Sequence, residues 1–262
     1  MTTRPAARRE GRLARWGTMP AFVGLTLLLS WSPLLVADGT LLPHGPMLAA
    51  LAVLWVLAGR AAAGTLLRRL VAWRVGLRWW ICAPGLVVVA HALALAAATA
   101  AGVVEVRPEA LTWTVVAATV LPLVLLGGQW EEPGWLALLL DRLQGHRGWS
   151  PWLVLTLASI VRVAWHLPLA VEGVIPWFDL LLGVVALQVL LTWLYNVTGG
   201  SLLLPMVCHL TSNSAMALVR ETLGEGEDHA YWAVYTAAVV LVALCLLVAT
   251  RGRLGLRRSS DR

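Results

Sequence analysis

The chain has 262 residues, 59% of them hydrophobic and 13% charged, with a mean hydropathy of +0.77. A soluble domain of this size could not hide so much apolar surface, so the composition excludes a water-soluble globular fold and points to a membrane protein. The 20 basic residues are all arginine and the formal charge is +6; their placement around apolar runs marks them as membrane-surface charges and argues against a nucleic-acid partner.

A basic leader, residues 1–19, carries Arg4, Arg8, Arg9, Arg12 and Arg15. Apolar runs follow at 20–37, 46–67, 81–104, 110–130, 150–171, 177–195, 200–219 and 230–250. Each is close to the ~20 residues with which a helix crosses ~30 Å of hydrocarbon. The ~10-residue alternating segments of a closed β-barrel are missing. The sequence thus predicts an all-α polytopic membrane protein with about eight transmembrane helices. The first run is read as an uncleaved anchor. Its leader would suit a signal peptide, but the run is long and Val36-Ala37-Asp38 is a poor cleavage site. Residues 66–80 (LLRRLVAWRVGLRWW) read as a basic helix lying on the cytoplasmic membrane surface. The expected organisation is a basic tail 1–19, a helical membrane domain 20–250 and a basic tail 251–262.

The arginines also predict the orientation. Arg60, Arg68, Arg69, Arg74 and Arg78 lie at or after the end of the second run, and Arg142 and Arg147 follow the fourth. Arg251, Arg253, Arg257, Arg258 and Arg262 follow the eighth. The alternate loops hold only Arg107 and Arg220, together with Asp38, Glu105, Glu109, Glu172, Asp179, Glu221, Glu225, Glu227 and Asp228. The positive-inside rule then puts both termini in the cytoplasm and requires an even number of spans. A chain this compact and free of lysine is expected in a bacterial cytoplasmic membrane, with anionic lipids as partners of its terminal arginines. Trp16, Trp79, Trp80, Trp113, Trp149, Trp152, Trp177 and Trp232 stand at run ends and read as interfacial anchors. Cys82, Cys208 and Cys245 have no metal or redox spacing and read as small apolar residues.

Against this background a few polar groups stand out. An ionised side chain at bilayer depth costs roughly 2.5–3.5 kcal/mol on insertion scales, so several of them together mark a site. They are Glu131 and Glu132 at the end of the fourth run, His166 in the fifth, and His209 and Asn213 in the seventh. If the helix continues past Glu132, Glu131 and His166 both stand roughly 20–27 Å from the turn at 145–148, at comparable heights. His209 and Asn213, at i and i+4, share one helix face. Neighbouring helical residues point about 100° apart, so Glu131 and Glu132 cannot play the same part. A glutamate beside a histidine can take a proton from water, and a second imidazole with an amide can donate to an oxyanion. The same side chains could instead hold a divalent metal such as zinc, with Glu131, His166 and His209 as ligands, although the His-Glu-x-x-His helix is missing. His91, alone in the third run, reads as structural, and Gln188 in the sixth as cavity wall.

Glu131-Glu132-Pro133-Gly134-Trp135, Val163-Ala164-Trp165-His166-Leu167-Pro168 and His209-Leu210-Thr211-Ser212-Asn213 resemble, in order, the three motifs of the CPBP intramembrane proteases. These include type II CAAX prenyl endopeptidases and bacteriocin-processing or immunity proteins. The resemblance spans about residues 70–220. It implies an eight-helix fold with a conical cavity open to the cytosol. By that resemblance Glu131 and His166 would activate water, His209 and Asn213 would stabilise the oxyanion, and Glu132 would orient the site. The family pattern has Arg where this chain has Leu136, and Phe where it has Arg162. Arg162 is therefore expected to replace the lost charge as the partner of Glu132. The implied activity is endoproteolysis of a membrane-associated or lipophilic peptide or protein. Two rivals stand beside it: a catalytically degenerate scaffold or immunity protein of the same fold, and a small transporter.

Overall fold

A computed structural model of the protein describes residues 12–36, 40–146 and 148–256, with the side chains of 12–16 and 36 left aside. Most of the predicted terminal tails and the side chains of Arg147, Arg257, Arg258 and Arg262 thus lie outside the described residues. Among the described residues the protein is helical throughout, without a strand. The helices are α1 (Arg12–Val36), α2 (Gly45–Ala58), α3 (Arg60–Leu70), α4 (Leu77–Ala100), α5 (Trp113–Leu126), α6 (132–144), α7 (Pro151–Val171), α8 (Asp179–Val197), α9 (Leu203–Glu221) and α10 (Asp228–Ala249). A 3-10 turn, Gly128–Glu131, joins α5 to α6, so that Trp113–Gln144 forms one interrupted span.

Among the described residues six segments are long and apolar enough to cross a bilayer: Gly17–Leu35, Leu77–Ala100, Trp113–Gln144, Pro151–Val171, Asp179–Val197 and Asp228–Ala249. The expected second run differs. Gly59, at φ +84°, breaks it into the short apolar α2 and the basic α3. Glycine is suited to such a break, because a Cβ disfavours positive φ. The surface helix expected at 66–80 is corrected accordingly: helix α3 ends at Leu70, residues 71–76 are irregular, and Leu77 already starts α4. The expected seventh run is α9, whose His209, Thr211, Ser212, Asn213 and Ser214 make it the most polar of the long inner helices.

Many large apolar side chains are exposed, including Leu28, Leu35, Val89, Leu121, Leu125, Leu181 and Val248. On an integral membrane protein these face lipid, which is as apolar as the core. Packing between helices therefore rests on close fit and polar contacts. Helix α4 lies against α9 and α10 through Ala83, Ala90, Ala94 and Ala98, all buried. His91 is structural, as expected. Its Nε2 donates to the Ser212 carbonyl (3.2 Å) and its Nδ1 meets the Tyr231 hydroxyl (2.7 Å). Gly45 packs against Ser30, and Gly134 against the Pro46 carbonyl, drawing α1, α2 and α6 together. Trp113, Trp149, Trp152 and Trp177 are exposed at helix ends, where an interfacial tryptophan belongs.

At one end of the bundle Arg69 donates to Asp141 (2.6 Å) and to the Tyr195 hydroxyl, which itself donates to Asp141 (2.9 Å). Burial by itself would lower the Arg69 pKa, but the bonds and charges of Asp141 and Tyr195 outweigh it and raise it. The contact ties α3, α6 and α8. Ser201 donates to the Ala72 carbonyl (2.9 Å), and the Leu202 amide to that of Arg69 (3.1 Å), which fastens the α8–α9 turn to the same corner.

A Cβ at Gly134 would overlap the Pro46 carbonyl, whereas one at Gly24 meets nothing within 4 Å. Gly134→Ala is expected to destabilise the protein by about 1–3 kcal/mol through the forced separation of α2 and α6. Gly24→Ala is expected to leave the melting temperature unchanged or slightly raised, as followed by thermal unfolding in detergent.

Candidate active site

The site begins where α5 stops. Gly127 is extended (ψ 170°), and a Cβ there would run into the Leu123 carbonyl. The last carbonyls of α5 need partners, since no water reaches them from lipid. Gln129 supplies them, donating its Nε2–H to Leu123 O (2.7 Å) and Val124 O (2.9 Å), while Trp130 Nε1 donates to Val124 O (3.1 Å). The sequence reading missed Gln129. A lone amide directly after a glycine pair at bilayer depth is the signal that could have revealed it. The turn that follows delivers Glu131 and Glu132 in different directions, as their helical offset requires.

Glu132 is fully buried and turns into the bundle. Its Oε1 accepts from Arg162 Nη2 and from His209 Nδ1 (2.6 Å). Arg162 Nη2 also reaches Glu131 Oε2 (3.4 Å), and Nη1 donates to Gln188 Oε1 (2.9 Å), whose own amide donates to Thr192 (3.0 Å). The expected pairing of Arg162 with Glu132 is thus present, and Leu136, at the place of the family's arginine, is buried and apolar. Gln188 is corrected: it does not line the cavity but backs the guanidinium from behind, because Arg162 needs acceptors for more than one nitrogen.

Glu131 faces the other way. Its Oε2 accepts from Trp135 Nε1 (3.2 Å), one helical turn on, and lies 3.8 Å from His166 Nε2. His166 Nδ1–H donates to the Arg162 carbonyl (2.8 Å). That bond fixes the tautomer, leaving the Nε2 lone pair toward Glu131 in the neutral ring. Trp165, packed edge-on against both Trp135 and the His166 ring, holds the imidazole from the side. The Trp165 carbonyl accepts from Trp31 Nε1 (3.1 Å), which anchors α7 to α1.

These groups meet at a cavity of about 470 Å³ lined by Glu131, Arg162, His166, His209 and Asn213 but not by Glu132. Asn213 stands one turn beyond His209 on the same face, as the spacing predicts. Gly128 is the closest backbone. A Cβ there would sit 2.7 Å from His209 Nε2 and 2.9 Å from Glu131 Oε1. The helix break and the missing side chain together make room for a small molecule between the glutamate and the imidazoles.

Glu131, Glu132 and His209 present ligand atoms within 4.8 Å of one another. Carboxylate and imidazole donors at this spacing fit a divalent metal such as zinc. An ion there would compete with Arg162, which already occupies both carboxylates. His166, the third candidate ligand expected from the sequence, is not part of this compact donor group.

Residues 108–215 match the family model described as type II CAAX prenyl endopeptidase Rce1-like. Over that stretch the chain is similar to this protease family. The Rce1-like segment runs from the turn before α5 into α9 and contains all six residues of the polar cluster: Glu131, Glu132, Arg162, His166, His209 and Asn213. No curated protein and no solved structure matches the chain.

Removing one partner of a fully buried ion pair costs about 3–5 kcal/mol, because the other charge is left uncompensated. Arg162→Met is expected to destabilise the protein by that order, and Glu132→Gln in the same chain to restore much of the loss. Melting temperatures of the single and double variants in detergent check this. Additive losses would mean that the two side chains do not act as a pair.

Proposed function

We propose that the protein is an intramembrane endopeptidase that hydrolyses a peptide bond of a membrane-associated or lipophilic peptide or protein. The observation that carries this reading is the 3.8 Å gap between Glu131 Oε2 and His166 Nε2 at the cavity wall. That separation is too long for a direct hydrogen bond and suits a water donating to both acceptors.

Glu131 takes a proton from this water as its oxygen attacks the scissile carbonyl, with His166 holding the second hydrogen. His209 and Asn213 line the same cavity. The Asn213 amide can donate to the developing oxyanion. Donation from His209 Nε2 requires a ring protonated on both nitrogens, with Glu132 on Nδ1 as its counter-ion. Loss of one such donor typically costs about 10²–10³ in rate. Glu131 then passes its proton to the departing amine, and the C–N bond breaks to give a carboxylate and an amine. Glu132 and Arg162 act through the others: the first orients His209 and the second balances charge. A divalent ion held by Glu131, Glu132 and His209 would add Lewis-acid polarisation of the water or the carbonyl.

The apolar walls, among them Leu126, Leu169, Leu187 and Met216, suit a lipophilic substrate. The chain's own residues answer the two departures from the family pattern, because Arg162 supplies a charge where Leu136 cannot. This supports an active enzyme over a degenerate scaffold.

Glu131→Gln and His166→Ala are each expected to lower turnover by at least about 10³-fold, since they remove the proton acceptor or its water. Both variants should still insert and melt cooperatively. The comparison of membrane peptides from cells producing wild type and Glu131→Gln should reveal new peptide termini in the former alone. Equal termini in both would end the enzymatic reading. Metal content of the purified protein, with turnover before and after chelation, separates a metal-assisted from a metal-free site.

A further inference from the structure

Beyond the reactive groups, the lining of the cavity gathers toward one end of the bundle, and that end is the one poor in arginine. This lining is drawn from the α1–α2 loop (Thr40), the α7–α8 loop (Val174), the start of α8 (Asp179), the end of α9 (Arg220) and the start of α10 (Trp232). No described residue of the α6–α7 turn, the α8–α9 turn, the α3–α4 segment or the chain beyond α10 lines it. Arg74, Arg251 and Arg253 lie in those segments, and Arg68, Arg69, Arg78 and Arg142 lie in the helix ends next to them. On that side two bonded clusters stand behind the site. Glu132, Arg162, Gln188 and Thr192 form a bonded layer directly behind the site. Arg69, Asp141 and Tyr195 form a second one further out.

Two expectations therefore cannot both hold. If the arginine-rich loops are cytoplasmic, as the positive-inside rule requires, the cavity does not open to the cytosol. The arginine distribution is the stronger constraint. It counts short loops next to span ends, where the rule applies best, and all of these loops agree. Inverting the chain would carry every arginine-rich loop across the membrane and leave Arg107 and Arg220 in the cytoplasm.

We propose that the site opens to the extracytoplasmic face. This rests on the hydrolytic reading for its chemistry but not for its geometry. The substrate class follows: an apolar peptide segment already inserted in or translocated across the membrane, with its scissile bond presented in the outer half of the bilayer. A soluble cytoplasmic protein would meet the side of the two bonded clusters. Helix α5 has no buried residue, yet Leu123 and Leu126 line the cavity, so lipid and cavity are separated there by one helix.

Cysteine accessibility tests the proposal on the full chain. In a background with Cys82→Ala and Cys245→Ala, the remaining Cys208 is buried. Val174→Cys and Glu225→Cys report the mouth side and Arg74→Cys the opposite side; all three positions are exposed. Intact bacterial cells producing each variant are treated with a membrane-impermeant maleimide, before and after permeabilisation. The expected result is labelling of the first two from outside, at least tenfold faster than Arg74→Cys, which should react only once the membrane is opened. The reverse pattern, or equal labelling at all three, overturns the proposal. The measurement is repeated in the Glu131→Gln chain. Labelling does not depend on turnover, so an inactive protein with an outward mouth sinks the hydrolytic reading alone, and an active one with an inward mouth sinks this inference alone.

Discussion

Two carboxylates side by side at bilayer depth need a cation beside them, and in this protein Arg162 provides it. Much of the site's order follows from that requirement. Glu132 turns inward to meet the guanidinium, and its second bond holds His209. Gln188 and Thr192 complete the guanidinium's own coordination from α8. The backbone carbonyl of Arg162 orients His166 one turn along α7. A single residue thus supplies the charge balance for one half of the site and the ring orientation for the other. It also leaves Glu131, the less tightly paired of the two acids, free to face the cavity.

The helical membrane architecture was legible because hydropathy and arginine placement are properties of whole segments. The same kind of reasoning singles out Glu131, Glu132, His166, His209 and Asn213 as a group, because a polar group in an apolar run is costly and is kept only where it has a partner or a task. Even the Arg162–Glu132 pair could be anticipated, since an arginine in a span must find an acid. Local backbone events were not legible to the same degree. The break at Gly59 depends on one residue at positive φ, which hydropathy averages away, and the helix expected at 66–80 is lost to an irregular stretch at 71–76 that hydropathy does not mark. Gln129 and Gln188 were missed or misplaced because an amide's partners, carbonyls in one case and a guanidinium in the other, are fixed by tertiary packing. The direction of the cavity was hardest of all. It depends on which helix halves splay apart, and neither motif spacing nor charge count reports that.

Gly128 carries a consequence for how such a protein can fail. A methyl group there would crowd His209 Nε2 and Glu131 Oε1 but would touch neither the Arg162–Glu132 pair nor the packing of α4 against α9 and α10. A side chain at this position would fill the space between Glu131 and His209 without touching the helix packing that holds the bundle together. The proposed site would thus be closed by one methyl group in a chain whose helices still pack.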